Sequence, residues 1–247
     1  MKILIANPNT SQAMTDLMVA EGRGAARPGT TVDGVCAEFG VPYISTRSEM
    51  AIAGYAVLDK LARVYGDYDA VVIGAFVPVL TFPAKELLPI PVIGIAEAMM
   101  RTALLFGRRV GILGMGSRSR GENEEAVTTF GMERDVTSIR LISMGGVALA
   151  ENQQRAVDEI VRLGRLAVEE DFADVLVLAG GALAGMAGLV APHLPVPVIP
   201  PIHYAVGLAE LAVLSGWRAP REGIFKGPGQ RPTQGLNPEL ATLLSGK

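Results

Sequence analysis

The segment AVVIGAFVPVL at residues 70–80 decides the fold class of this chain. It opens with a continuous apolar run, which predicts a parallel strand buried on both faces. The same pattern recurs later, because LVLAGG at 176–181 matches VVIGAF at 71–76. Each copy precedes a loop, a short helix and a proline-led strand, and Ala75 and Gly180 occupy equivalent places. The repeat predicts a chain built from two similar halves.

Short apolar runs and amphipathic stretches alternate along the rest of the chain. The predicted strands are KILIAN (2–7), TVDGVCA (31–37), AVVIGAF (70–76), PVIGI (91–95), RVGILGM (109–115), TSIRLIS (137–143), DVLVLAG (174–180) and PVPVIP (195–200). The predicted helices are Ser11–Glu21, Glu49–Tyr65, Glu97–Phe106, Gly121–Phe130, Asn152–Glu170 and Tyr204–Leu214.

This alternation predicts an α/β fold. We expect two pseudo-symmetric halves, each a four-stranded parallel sheet with helices on both faces. The first half would comprise residues 1–96 together with about 203–247, and the second half residues 97–202. Ligands of parallel sheets bind beyond the carboxyl ends of the strands. The cleft between the halves is therefore the predicted site.

The amino-acid composition excludes several classes of function. The net charge is −3 and no basic block occurs, which argues against nucleic-acid binding. The single cysteine excludes a disulfide framework and a thiolate metal cluster, and the two histidines lack metal-ligand spacing. Neither a signal peptide nor a membrane-spanning run is recognisable, so we expect a cytoplasmic protein without a bound metal.

The loop NPNTS at 7–11 follows the first strand and opens a helix. Oxygen atoms of Asn9, Thr10 and Ser11 could cap that helix. The backbone N–H groups at its start could instead bind a carbonyl or carboxylate oxygen of a ligand. Both interpretations stay open, and all three residues are candidate ligand contacts.

Two further loops belong to the second half. GMGSRS at 114–119 has a similar make-up to NPNTS, and Ser117 is its candidate ligand contact. AGGALAGMAGL at 179–189 lacks the fingerprint of a dinucleotide site. Gly180 and Gly181 would instead let a small ligand approach their backbone amides.

Three other side chains are candidates for the cleft. His203 lies between a strand and a helix and could transfer a proton, or it could bond a loop carbonyl. Glu97 begins a helix, where a carboxylate is favourable, but a buried carboxylate there could act as a base. Tyr43 could reach the site as a hydroxyl donor. We take Glu97 and His203 as candidate catalytic residues.

Three motifs together resemble the aspartate/glutamate racemase superfamily, nearest to the hydantoin and allantoin racemases. They are IANPNTS (5–11), PVIGIAEA (91–98) and GMAGL (185–189), and the similarity extends to about Gly216. The resemblance implies two four-stranded halves and a reaction without a cofactor. In that family one cysteine of each half faces the cleft; one thiolate removes the proton at the stereocentre and the other thiol returns a proton to the opposite face.

Those two cysteine positions correspond here to Ala75 and Gly180, so both thiols are absent. Cys36, at the end of an early strand, is not expected to replace them. Next to Ala75, the residues Phe76 and Val77, with Val79 and Phe82, would form an apolar wall. Such a wall suits a neutral, partly apolar ligand and disfavours a dicarboxylic amino acid, whose charge would be unpaired.

We therefore expect a cofactor-independent isomerase, a racemase or epimerase that moves the proton beside a carbonyl in a small cyclic amide such as a hydantoin or cyclic dipeptide. Two alternatives stay open: a decarboxylase or ring-opening hydrolase of the same superfamily, and a non-catalytic ligand-binding protein. The Gly/Pro-rich tail from Arg218 is interpreted as a surface extension for a partner or subunit contact, and a homo-oligomer is expected.

Overall fold

The structure is a computed structural model that describes residues 1–143 and 152–245. Within these ranges the strands are β1 (Lys2–Asn7), β2 (Thr31–Cys36), β3 (Ala70–Ile73), β4 (Val92–Gly94), β5 (Val110–Met115), β6 (Val136–Ile142), β7 (Val175–Ala179) and β8 (Val198–Ile199). The helices are α1 (Gln12–Ala25), α2 (Arg47–Val64), α3 (Pro78–Leu87), α4 (Ile95–Ala103), α5 (Arg120–Thr129), α6 (Gln153–Glu169), α7 (Met186–Val190), α8 (His203–Leu214) and α9 (Pro238–Leu244).

The strands form two four-stranded parallel sheets with the same topology. Their orders are β2-β1-β3-β4 and β6-β5-β7-β8. Every pairing is parallel, and β1 and β5 lie at equivalent inner positions. This arrangement confirms the predicted fold of two pseudo-symmetric halves.

The inner strands are continuous apolar runs because both of their faces are covered. Ile3, Leu4 and Ile5 have no exposed surface, and Val71 and Val72 beside them are equally buried. Full burial of an aliphatic side chain is worth about 1.5–3 kcal/mol relative to exposure. Such runs therefore fix the position of the strand ends that carry the site.

One core joins the two halves. A single cluster of buried residues includes Ile5 and Val72 from the first sheet and Ile112 and Val177 from the second. Helix α8 packs on both α1 and α4, and α4 also packs on β7. The division of the chain into 1–96 with 203–247 and 97–202 remains a prediction.

The tail does not lie free over its whole length. Helix α9 packs on α2, and the Asn237 side chain caps α9 by accepting a hydrogen bond from Leu240 N at 2.6 Å. Asn237 Nδ2 also donates to the backbone oxygen of Asp59 in α2 at 3.3 Å. This part of the predicted surface extension is thus docked on its own chain.

None of the helices in residues 1–143 and 152–245 has the length and apolar character needed to cross a membrane.

Candidate active site

A pocket lies where the ends of β1, β3, β5 and β7 meet. Its volume is ≈ 80 Å³, well below the roughly 300–1,000 Å³ of sites for drug-sized ligands. It is lined by Asn7, Asn9, Met14, Met18, Tyr43, Ile44, Gly74, Ala75, Phe76, Val77, Met115, Ser119, Glu122, Asn123, Ala179, Gly180, Gly181 and Ala182. The pocket belongs to both halves and suits a small ligand.

Seven of the predicted site residues are brought together in this lining. They are Asn9, Tyr43, Ala75, Phe76, Val77, Gly180 and Gly181. Parallel strands place their carboxyl ends at one edge of the sheet, and two such edges face each other here.

The two strand ends without cysteine approach each other closely. A Cβ atom at Gly181 would lie only 2.7 Å from the Gly74 carbonyl oxygen and 2.6 Å from Met18 Sδ. Gly180 has a φ of +134°, and a Cβ atom there would meet nothing within 4 Å. Glycine is therefore required at 181 by the close approach, whereas the space beside Gly180 is open.

The amides of Thr10 and Ser11 are used inside their own loop. Thr10 N donates to the Val41 carbonyl at 3.0 Å, and Ser11 N donates to Asn9 Oδ1 at 2.9 Å. Ser11 Oγ accepts from Met14 N at 3.3 Å and so caps α1. Both residues lie outside the lining and their amides have partners, so their contact with a ligand remains a prediction.

The rest of this loop is a closed network of hydrogen bonds. The buried Asn7 donates through Nδ2 to Asn9 Oδ1 at 2.8 Å and to Thr15 Oγ1 at 3.0 Å. Thr15 Oγ1 in turn donates to the Ser11 carbonyl at 3.0 Å. The first half therefore presents a wall whose buried polar groups are largely paired with one another.

Neither residue predicted to be catalytic lies in the pocket lining. Both carboxylate oxygens of Glu97 accept hydrogen bonds from Lys85 Nζ, at 2.7 and 2.6 Å. His203 is exposed at the start of α8, and its ring lies 5.3 Å from that of Tyr204. The Glu97 side chain therefore forms an ion pair with Lys85, and the His203 side chain lies at the surface.

Two predictions concern side chains outside the described part of the structure, those of Ser117, which begins the 3-10 turn Ser117–Ser119, and Val79. Phe82 packs against Phe130 and Phe225 with ring centroids 6.4 and 5.9 Å apart and is absent from the pocket lining. Phe76 and Val77 do line the pocket, and both are buried.

Glu122 is the residue that sequence reasoning missed. It lies in the first turn of α5 and lines the pocket. Burial, together with the negative charges of Glu125 and Glu49, raises the pKa of this carboxyl to about 7, whereas Arg47 acts in the opposite direction. Glu122 is therefore poised to gain or lose a proton near neutral pH.

The internal repeat carries a signal for Glu122. Helices α1 and α5 each begin five residues after the end of β1 and β5. Counting along the two segments pairs Met14 with Glu122, and both of them line the pocket. The pairing points to Glu122 only once the structure has shown that Met14 lines the pocket.

Tyr43 reaches from the first half to the second. Its hydroxyl donates to the Met115 carbonyl at the end of β5, at 3.2 Å. Burial raises the pKa of Tyr43, and the negative charge of Glu122 raises it further. Tyr43 and Glu122 are thus close enough to affect each other's ionisation.

Cys36 lies away from these groups. Its thiol is half-buried and donates to Gln12 Oε1 at 3.5 Å, and it is absent from the lining. The only ionisable side chains in the described lining are Tyr43 and Glu122. Among the described lining residues, these two are therefore the candidates for proton transfer.

Comparison with known proteins agrees with this geometry. Residues 3–209 match the family model described as Asp/Glu/Hydantoin racemase. A hydantoin racemase from Paenarthrobacter aurescens is 28% identical over 236 residues, which cover 95% of this chain and 98% of that protein. An allantoin racemase from Klebsiella pneumoniae superposes with a TM-score of 0.92 at 30% identity, covering 97% of this chain and 98% of its own.

A second allantoin racemase, from Pseudomonas fluorescens, superposes with a TM-score of 0.91 at 28% identity. It covers 95% of this chain and 100% of its own. The family match spans both halves and the four strand ends that build the pocket. The chain belongs to the Asp/Glu/hydantoin racemase family.

Proposed function

We propose that the protein is a cofactor-independent racemase or epimerase that moves the proton at the α carbon of a small cyclic amide, such as a hydantoin or a cyclic dipeptide. The reaction uses no cysteine. The observation that carries this proposal is Glu122, a half-buried carboxyl with a pKa of about 7 in the pocket of a racemase-family fold.

Glu122 is the base in this proposal. A carboxylate whose pKa is raised to about 7 holds a proton more strongly than an ordinary glutamate, yet it is largely ionised at slightly alkaline pH. It removes the proton of the substrate carbon, and the electron pair of that C–H bond moves toward the neighbouring carbonyl to give an enolate.

Tyr43 supplies the proton for the other face. Its hydroxyl protonates the carbon of the planar enolate and becomes a tyrosinate. The raised pKa of Tyr43 makes the tyrosinate a strong base, so it regains a proton from solvent, and Glu122 releases to solvent the proton that it took from the substrate. The cycle ends with both side chains restored and with no net change in protons.

The remaining lining suits a neutral ring. The Gly180–Gly181 segment brings backbone to the pocket without side chains, so its amides can approach the developing enolate oxygen. Phe76 and Val77 supply an apolar wall for a substituent. A dicarboxylic substrate would have to bury charge beside that wall and beside Glu122.

The test measures deuterium incorporation in heavy water. The substrates are an enantiopure hydantoin with a methyl group on its stereocentre and the cyclic dipeptide of two L-alanines. We expect deuterium at the stereocentre and loss of optical purity, with a rate that rises as the pH increases through about 7, because the ionised form of Glu122 is the active one.

Glu122→Gln should lower the exchange rate by roughly 10²–10⁴, the usual contribution of a general base. Tyr43→Phe should retain exchange on one enantiomer but lose inversion. Glu124→Gln is the matched control, since Glu124 lies on the same helix outside the pocket lining and pairs with Arg120.

Wild-type rates of exchange in Glu122→Gln would contradict the proposed base. Release of carbon dioxide from a malonate-type substrate would indicate a lyase, and ring opening a hydrolase. Binding of these rings without any exchange would indicate a ligand-binding protein.

A further inference from the structure

A second cavity adjoins the pocket. This cavity, the side groove, has a volume of ≈ 410 Å³, against ≈ 80 Å³ for the pocket. Val77 and Glu122 line both of them, so the two cavities meet at these residues. Because the pocket is small, a long substituent on a bound ring needs a second space, and the side groove provides one beside Glu122.

The side groove lies between the two halves of the molecule. The first half contributes the buried Val77 and Pro78 at the start of α3, and the second half contributes the face of α5 between residues 121 and 129. At 1.5 Å per helical residue, the distance along α5 from Glu122 to Thr129 is about 10 Å. The groove is therefore long enough for an extended chain of several carbon atoms.

The charges that face each other across the side groove are paired. Arg47, at the start of α2, forms an ion pair with Glu125 of α5, and both residues line the groove. Next to the pocket the lining is apolar, through Val77 and Pro78. A neutral chain with an apolar stem fits this arrangement without separating the ion pair.

Gly121 keeps the side groove open. It is the second residue of α5 and lines the groove. Glycine is unfavourable inside a helix, yet a Cβ atom at 121 would meet only Arg47 Nη2, at 3.6 Å, the end of a flexible side chain. Counting along the repeat pairs Gly121 with Ala13, so the first half carries a side chain at this place. The packing of the described residues does not require glycine here, whereas an open groove does.

We propose that the side groove holds the substituent carried by the stereocentre of the bound ring, and that Gly121 sets the room available for it. The substrates are then cyclic amides with an extended neutral side chain. This inference rests on the proposed function for the ring and for the reaction.

The test measures binding by calorimetry. The probes are racemic hydantoins that carry either a methyl or an n-hexyl group on the stereocentre. A racemic mixture is already at equilibrium, so turnover adds no heat to the measurement. We expect the wild-type protein to bind the hexyl compound at least about tenfold more tightly than the methyl compound, because the additional methylene groups are buried in the groove.

Gly121→Leu places a branched side chain in the side groove. It should lower the affinity for the hexyl compound by roughly tenfold or more and change that for the methyl compound by less than about threefold. Gly121→Ala should act in the same direction by a smaller factor, and it covers the case in which Gly121→Leu fails to fold. Gly24→Leu is the matched control, because Gly24 is an exposed glycine of α1 with nothing within 4 Å of its Cβ position and lines neither cavity.

A hexyl compound that binds the wild-type protein no more tightly than the methyl compound would overturn the inference, as would failure of both to bind. An equal effect of Gly121→Leu on the two compounds, or no effect on either, would also overturn it. These outcomes are distinct from failure of the proposed function, which is read from deuterium exchange on chiral substrates.

Discussion

The surroundings that raise the pKa of Glu122 also make its ionised form unfavourable for the fold. Burial and the nearby carboxylates of Glu125 and Glu49 disfavour its ionised form and so raise its pKa to about 7. The unfolded chain has no such surroundings, and its glutamates ionise near 4.5. Between these two values the folded state binds more protons than the unfolded state.

A dependence of stability on pH follows. The contribution of Glu122 to the free energy of unfolding is fully present below about 4.5 and is lost as the pH rises to about 7. Glu122→Gln, which cannot ionise, should therefore become more stable relative to wild type across this window. Denaturation by urea at several pH values measures it, and parallel profiles of the two proteins would contradict it.

The sequence did not single out Glu122 as an ionisable residue of the pocket, and the reason is physical. Glu97 and His203 each follow a predicted strand by two or three residues, but Lys85 pairs with the first and the second is exposed. Glu122 resembled a solvated helix residue in GENEE. Which turn of a helix faces a pocket depends on tertiary packing, which a single sequence does not show.

At the scale of elements, the strands were predictable because burial on both faces leaves a continuous apolar run. The predicted bounds of β1 are those observed, and the other strands were found with ends shifted by a few residues. Ala75 and Gly180 were placed in one pocket by the repeat alone. The backbone angles at these strand ends could not be read from the sequence.

Those angles make the two cysteine positions unequal. Gly180 has a φ of +134°, which L residues rarely adopt, whereas Ala75 already carries a side chain. Gly180→Cys should lower the free energy of unfolding by about 1–3 kcal/mol, and Ala75→Cys should change it by less than about 1 kcal/mol. Thermal denaturation of the two variants tests the difference, and equal midpoints would contradict the strain at Gly180.

At the scale of the whole molecule, a single carboxylate of α1 ties together segments distant in the chain. Glu21 Oε2 accepts from Gly185 N at 2.7 Å, just before α7. Glu21 Oε1 accepts from Ile202 N at 2.7 Å and from His203 N at 3.1 Å, at the start of α8. Both contacts place negative charge at helix N-termini.

Removing this carboxylate should weaken the contact of α1 with the segments that precede α7 and α8. Glu21→Ala leaves three amides without their acceptor, and we expect a loss of about 2–4 kcal/mol in the free energy of unfolding. Asp16→Ala on the same helix is the control, because Asp16 is exposed and bonds only the neighbouring Gln12 among the described residues. Similar denaturation midpoints for Glu21→Ala and the control would show that this contact does not depend on Glu21.

The unlike walls of the pocket have a kinetic consequence for the proposed reaction. A duplicated fold could treat the two mirror images of a ligand alike, but here the polar groups of one wall are paired with one another and the other wall carries Glu122. We therefore expect two enantiomers to differ in KM and in kcat. The two enantiomers have identical free energies in water, so the equilibrium constant between them is one and their kcat/KM values must be equal. The enantiomer with the lower KM must therefore also have the lower kcat.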